Sequence, residues 1–170
     1  MIRLLGAALV IAGSAAVVLK EVWRLDGRVK DLVELSAGLE TLQRELCWRL
    51  TPLPEAMNEA AEGTHGRAAA LFVWCAQETR HLDGRAFQRV WQDGLECCPL
   101  LLNEEDRAAL ERLGAVLGRY DADGQRQAID SAVGSLNHQK TQAAEDRSRL
   151  GRVYGVLGIT AGLFLVILLI

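Results

Sequence analysis

The chain has 170 residues, of which 50% are hydrophobic, 24% charged and only 5% aromatic, and its formal net charge is −3. Leu, Ala, Glu, Arg and Gln fill its middle with only three prolines in the whole chain, a helix-favouring composition that excludes collagen-like, disulfide-scaffold and disordered classes. The slight acidic excess excludes nucleic acid as a default partner, because neutralising phosphates takes a surplus of bases.

The first element is apolar. Residues 4–19 (LLGAALVIAGSAAVVL) carry no charge, and with Ile2 and a snorkelling Arg3 they make about 27 Å of helix, close to the thickness of a hydrocarbon core. A secretory signal peptide has the same kind of opening, Met1-Ile2-Arg3 followed by a hydrophobic run and the small residues Ala12 to Ala16. Here, however, Val17, Val18 and Leu19 continue the apolar run and Lys20, Arg24, Arg28 and Lys30 follow it, as in a retained anchor. The expectation is an uncleaved transmembrane helix over residues 1–19, with Ala8, Ala12 and Ala16 at a spacing that lets helix backbones approach in lipid.

Residues 20–152 form the expected soluble domain. Val22, Leu25, Val29, Leu32, Leu35, Leu39, Leu42, Leu46 and Leu50 recur about every 3.5 residues, the mark of a long helix with a packed seam. Thr51-Pro52-Leu53-Pro54 is expected to end it, since proline lacks a donor and restricts its predecessor. Pro54 then opens a short helix through Glu62, and Gly63-Thr64-His65-Gly66 makes a turn. A helix over residues 67–82 stops at Asp83-Gly84, and Phe87, Val90, Trp91 and Gly94 line another that Pro99 closes. Asn103 caps the next helix, with Glu104, Glu105 and Asp106 in its first turn, Leu110, Leu113 and Leu117 as its buried stripe and Gly118 after it. Ile129, Val133, Leu136, Ala143 and Leu150 line a last helix that runs on into residues 153–170. The fold class expected is all-α, six helices held between two transmembrane helices.

Val153 to Ile170 (VYGVLGITAGLFLVILLI) is again uncharged and long enough to span, with Gly158 and Gly162 at the close-packing spacing. The spacing leaves open whether the two spans pair with each other or with another subunit. Eight bases lie on the inner flanks (Lys20, Arg24, Arg28, Lys30, Lys140, Arg147, Arg149, Arg152), whereas Arg3 alone lies beyond the first span. By the positive-inside rule the central domain is expected in the cytoplasm and both termini outside, with Trp23 and Tyr154 at the inner interface. Between Asp31 and Asp130 the balance reverses, 10 Lys+Arg against 18 Asp+Glu.

Catalytic patterns are missing from the sequence. Cys47, Cys75, Cys97 and Cys98 have no zinc spacing and read as reduced, partly buried thiols. His65, His81 and His138 have no nucleophile pattern beside them, and no Gly-Lys-Ser/Thr phosphate loop occurs. Asp121-Ala122-Asp123-Gly124 begins like a calcium loop but places Arg126 and Ala132 where that loop needs Gly and Glu. The expectations are therefore no enzyme, no metal, no cofactor and no nucleic acid.

The order of features resembles one family. Met1-Ile2-Arg3-Leu4-Leu5-Gly6-Ala7, then Thr51-Pro52-Leu53-Pro54-Glu55-Ala56, then Leu117-Gly118 with Asp121 and Gln125, and finally Tyr154, Leu157-Gly158 and Gly162 are similar to the stage III sporulation protein AB family of endospore-forming bacteria. The resemblance spans the whole chain; Met57 and Tyr120 depart from the residues expected beside these motifs. It implies a domain like the cytoplasmic domains of type II secretion F proteins. It also implies a scaffold in the mother-cell membrane around the forespore, within the channel-like complex, that docks a secretion-type ATPase, stage III sporulation protein AA. The competing reading is a membrane-tethered signalling or regulatory protein without catalytic activity. Glu55, Glu59 and Glu62, with Glu104, Glu105, Asp106 and Asp121 nearby in kind, are the candidate partner-docking acids.

Overall fold

The computed structural model describes the backbone of residues 2–81, 84–117 and 122–169, and the side chains of residues 20, 22–81, 84–117 and 123–149. Among these residues the chain forms six α-helices and no strand: α1 (Ile2–Gln43), α2 (Leu53–Glu62), α3 (Gly66–Arg80), α4 (Phe87–Cys97), α5 (Glu104–Val116) and α6 (Ala122–Leu169). It divides into two compact units, Arg28–Thr141 and a second made of Met1–Gly27 with Gln142–Ile170.

The Arg28–Thr141 unit is built on the leucine seam. Leu32, Leu35, Leu39 and Leu42 are fully buried, each worth about 1.5–3 kcal/mol of apolar burial. They pack in one cluster with Met57, Leu71, Phe72, Trp91, Leu110, Leu113, Leu117, Ile129 and Leu136 from the other helices. Glycine sets how closely those helices approach. A Cβ at Gly38 would overlap the Phe72 ring, and one at Gly114 would overlap the Trp91 indole, so α1 receives α3 and α5 receives α4 where a side chain is missing. Trp91 stacks obliquely between Phe72 and Phe87, with ring centroids 6.4 and 6.1 Å away. Its Nε1–H donates to the Leu110 carbonyl at 2.8 Å, which satisfies the one polar atom that this burial would otherwise orphan.

The ends of the helices follow local chemistry. Asn103 accepts from the Asp106 amide at 2.7 Å and the Asp106 carboxylate accepts from the Asn103 amide at 2.9 Å, a reciprocal cap of the expected kind. The first helix stops just before the prolines, by a route the sequence did not show. α1 leaves α-geometry at Gln43, continues as a π-helical turn over Arg44–Trp48, and reverses at Leu50, whose φ is +55°. Thr51 N–H donates to the Glu45 carbonyl at 2.9 Å across that reversal. Leu50, expected on the seam, therefore points into solvent. Pro52 is the N-cap of α2, and Pro54 stands in its first turn, where a missing donor costs nothing.

In the other unit, Leu25 and Ala143 are buried and Arg147 pairs with Asp26 at 2.7 Å. Among the described residues no helix is long and apolar enough to cross a membrane. The segments expected to do so, 1–19 and 153–170 with Ala8, Ala12, Ala16, Gly158 and Gly162, lie outside the residues whose side chains are described, as does Leu150.

Candidate docking surface

α2 presents two faces of opposite character. Ala56, Met57, Ala60 and Ala61 are buried, while Glu55, Glu59 and Glu62, spaced at i, i+4 and i+7, are exposed. The helix is held at its far end as well. Gly63 N–H donates to the Glu59 carbonyl at 3.1 Å and Thr64 Oγ1 to the Ala60 carbonyl at 2.8 Å. The His65 amide then donates to Glu34 of α1 at 2.8 Å. Met57, expected from the resemblance to depart from the family pattern, is fully buried beneath α2.

The turn before α2 is organised around one buried acid. Glu45 accepts from Thr51 Oγ1 at 3.0 Å and from Arg49 Nη1 at 3.1 Å, with Arg44 Nε 3.7 Å away. Enclosure by the turn pushes its carboxyl up. The hydrogen bonds from Thr51 and Arg49 and the charges of Arg49 and Arg44 outweigh that and hold it below its ordinary 4.5.

Two further buried acids brace the bundle. Asp31 accepts Arg67 Nε on both oxygens at 3.0 Å and the Leu101 amide at 2.7 Å, tying α1 to α3 and to the loop before α5. Asp106 accepts Arg28 Nε at 2.8 Å and Nη2 at 3.0 Å, and Arg28 also donates to Gln139 Oε1 at 3.0 Å. Gln139 in turn donates to Glu105. The side chains of Arg28 and Asp106 are only 12% and 0% exposed. This corrects two expectations. Asp106 is no part of an exposed acidic cluster, and Arg28 is an internal partner rather than a free flanking base; Glu104 and Glu105 remain exposed.

Of the motif residues, Pro52 is exposed, Pro54 and Gln125 are half-buried and Leu117 is fully buried. Gly118, Tyr120 and Asp121 lie outside the described residues. The motif thus combines helix starts and core positions, and the described residues do not gather it into one pocket. None of the four cysteines is in a disulfide; Cys75 is buried, Cys97 exposed, Cys47 and Cys98 half-buried. Burial pushes the Cys75 thiol far up, and the neighbouring Cys98 adds to it; burial and Cys97 raise Cys98 in the same direction. Such thiols are poor nucleophiles. Among the described residues no group of three or more His, Cys, Asp or Glu could hold a metal ion.

Sequence reasoning missed the π-helical turn, the buried Glu45 and the exposure of Trp48 and Leu50. The Asn103–Asp106 spacing did signal a cap, and an acid at that position invites a cation, but nothing local pointed to Arg28, 78 residues away.

A family model for stage III sporulation protein AB matches residues 3–170. The chain is 24% identical over 171 residues to the stage III sporulation protein AB of Bacillus subtilis (strain 168), a match covering 99% of each. A solved structure of a stage III sporulation protein AB is similar in fold, with a TM-score of 0.67 at 22% identity, covering 72% of this chain and 98% of that one.

Proposed function

The chain belongs to the stage III sporulation protein AB family, and from that membership we propose that it is a membrane-anchored scaffold of the sporulation channel or secretion-like complex between mother cell and forespore, docking the secretion-type ATPase, stage III sporulation protein AA. The observation that carries this reading is α2, three carboxylates displayed in solvent on a helix whose other face is locked into the core. A rigid charged face of this kind steers a basic partner and fixes its orientation. The anchoring half of the reading rests on two uncharged eighteen-residue ends, Ile2–Leu19 apart from Arg3 and Val153–Ile170, flanked inwardly by bases. Trp23 is exposed beside the first of them, as an interfacial aromatic is. Bases near anionic lipid contribute about 1 kcal/mol each, and the acidic helix is left for a cytoplasmic partner.

Two measurements on the full chain in sporulating cells test the proposal together. After gentle solubilisation the ATPase is expected to co-purify with the chain; its absence from every mild detergent extract contradicts docking. A membrane-impermeant maleimide should leave Cys97 unmodified in intact mother cells and label it after permeabilisation. Cys97 is the reporter because Cys75 is buried and would stay silent on either side. Labelling of Cys97 without permeabilisation contradicts the orientation.

A further inference from the structure

The π-helical turn is costly in three separate ways. Its aromatic Trp48 is 71% exposed and the neighbouring Leu50 is 74% exposed. Leu50 also holds a left-handed φ of +55°, a conformation that strains a branched side chain and that glycine would adopt freely. The helix itself departs from α-geometry over Arg44–Trp48, as helices often do at functional sites. A chain selected only for stability would carry a glycine at position 50 and a polar residue at 48. The turn places two large apolar side chains in solvent, in one stretch with two arginines whose side chains are 62% and 67% exposed, Arg44 and Arg49.

This basic and apolar knuckle lies in a domain that is otherwise strongly acidic, and it leads within five residues into the exposed carboxylates Glu55, Glu59 and Glu62. No ion pair holds those three among the described residues, whereas the arginines share only the single buried Glu45. The two surfaces are complementary, yet both belong to the same short stretch, residues 44–62. We propose that a second copy of this chain covers the turn, each copy laying Trp48, Leu50, Arg44 and Arg49 against the α2 carboxylates of the other. A two-fold contact needs a self-complementary patch, in which residue i meets j and j meets i, and a basic-apolar turn joined directly to an acidic helix is one. Trp48 would be the buried anchor and the charges its rim. The inference uses the same α2 carboxylates as the proposed ATPase docking but does not require it, and the cross-link is read without the ATPase present.

The test uses the full chain in mild detergent with p-benzoyl-phenylalanine introduced at position 48. Ultraviolet cross-linking is expected to give a dimer. Cleavage after Arg49 and Arg67 should then place the new bond on peptide 50–67 of the second copy, which contains α2. Arg44→Glu should lower the dimer yield about threefold, the scale of an exposed charge pair, and a partner copy carrying Glu59→Lys should restore it. Leu50→Gly should lower the yield about tenfold, as loss of a contact at the anchor does, while the melting temperature stays equal or rises. A species that remains monomeric, a bond to detergent alone, a bond mapped outside residues 50–67, or yields indifferent to Arg44→Glu and Leu50→Gly would each overturn the proposal.

Discussion

Glu45 shows how a single side chain can organise a local fold against its own desolvation. Its carboxyl sits below 4.5 because Thr51 and Arg49 donate to it and two guanidinium charges face it, which together exceed the effect of enclosure. A group depressed in the folded state stabilises that state above its unfolded value and loses the contribution as pH falls through the folded one. Stability should therefore decline with acidification below pH 4.5, and part of that slope should vanish in Glu45→Gln; identical acid limbs in urea titrations of the two proteins would show that Glu45 contributes nothing. At Asp106 the stakes are larger, because the acid is fully buried on Arg28 and also completes the cap of α5. Asp106→Ala leaves a desolvated guanidinium and should cost about 3–5 kcal/mol. Much of that loss should disappear when Arg28→Ala is already present, since neighbours in one network do not add. Strictly additive losses in that double-mutant cycle would mean the ion pair is energetically idle.

At the scale of elements, what could be read from the sequence was whatever repeats or caps locally. The leucine spacing located the core face of α1 as far as Leu42, and Asn103 with Asp106 located the start of α5. The number of helices and the absence of strands among the described residues followed from the same cues. The place where the first helix stops, just before Pro52, was legible, whereas the form of its end was not, because a π-helical turn has no composition of its own. The bracing by Asp31 and Asp106 was not legible either, since ion pairs to Arg67 and Arg28 span 36 and 78 residues of sequence. Nor could the candidate acids be sorted, and burial alone separates Asp106 from Glu104 and Glu105. The Leu50 reversal and the Glu45 contacts come before the prolines, so replacing Pro52 and Pro54 together by Ala should leave the length of the first helix unchanged. Helical circular dichroism should stay within error of the parent protein, with a modest loss of stability from a less rigid start to α2. A gain in helix signal equal to a turn or more would restore the prolines as the terminator.

At the scale of the whole molecule, the chain is helical among its described residues, with Cys75, Asp31 and Asp106 turned inward and a charged helix, α2, displayed. The proposed function accordingly rests on surface recognition by the exposed carboxylates of α2. Self-association through the Trp48 turn and docking of the ATPase would draw on the same α2 carboxylates, so on one copy they exclude each other. The most direct measurement is the equilibrium affinity of the full chain, in mild detergent, for the purified ATPase as a function of salt, compared with Glu55→Lys/Glu59→Lys/Glu62→Lys folded to the same helical content. Exposed charges are screened beyond about 8 Å at physiological ionic strength, so the parent protein should bind most tightly at low salt and weaken steadily, while the triple variant binds at least about tenfold more weakly at low salt and shows a flatter dependence. Equal affinity of the two proteins at low salt would contradict the acidic face as the docking surface.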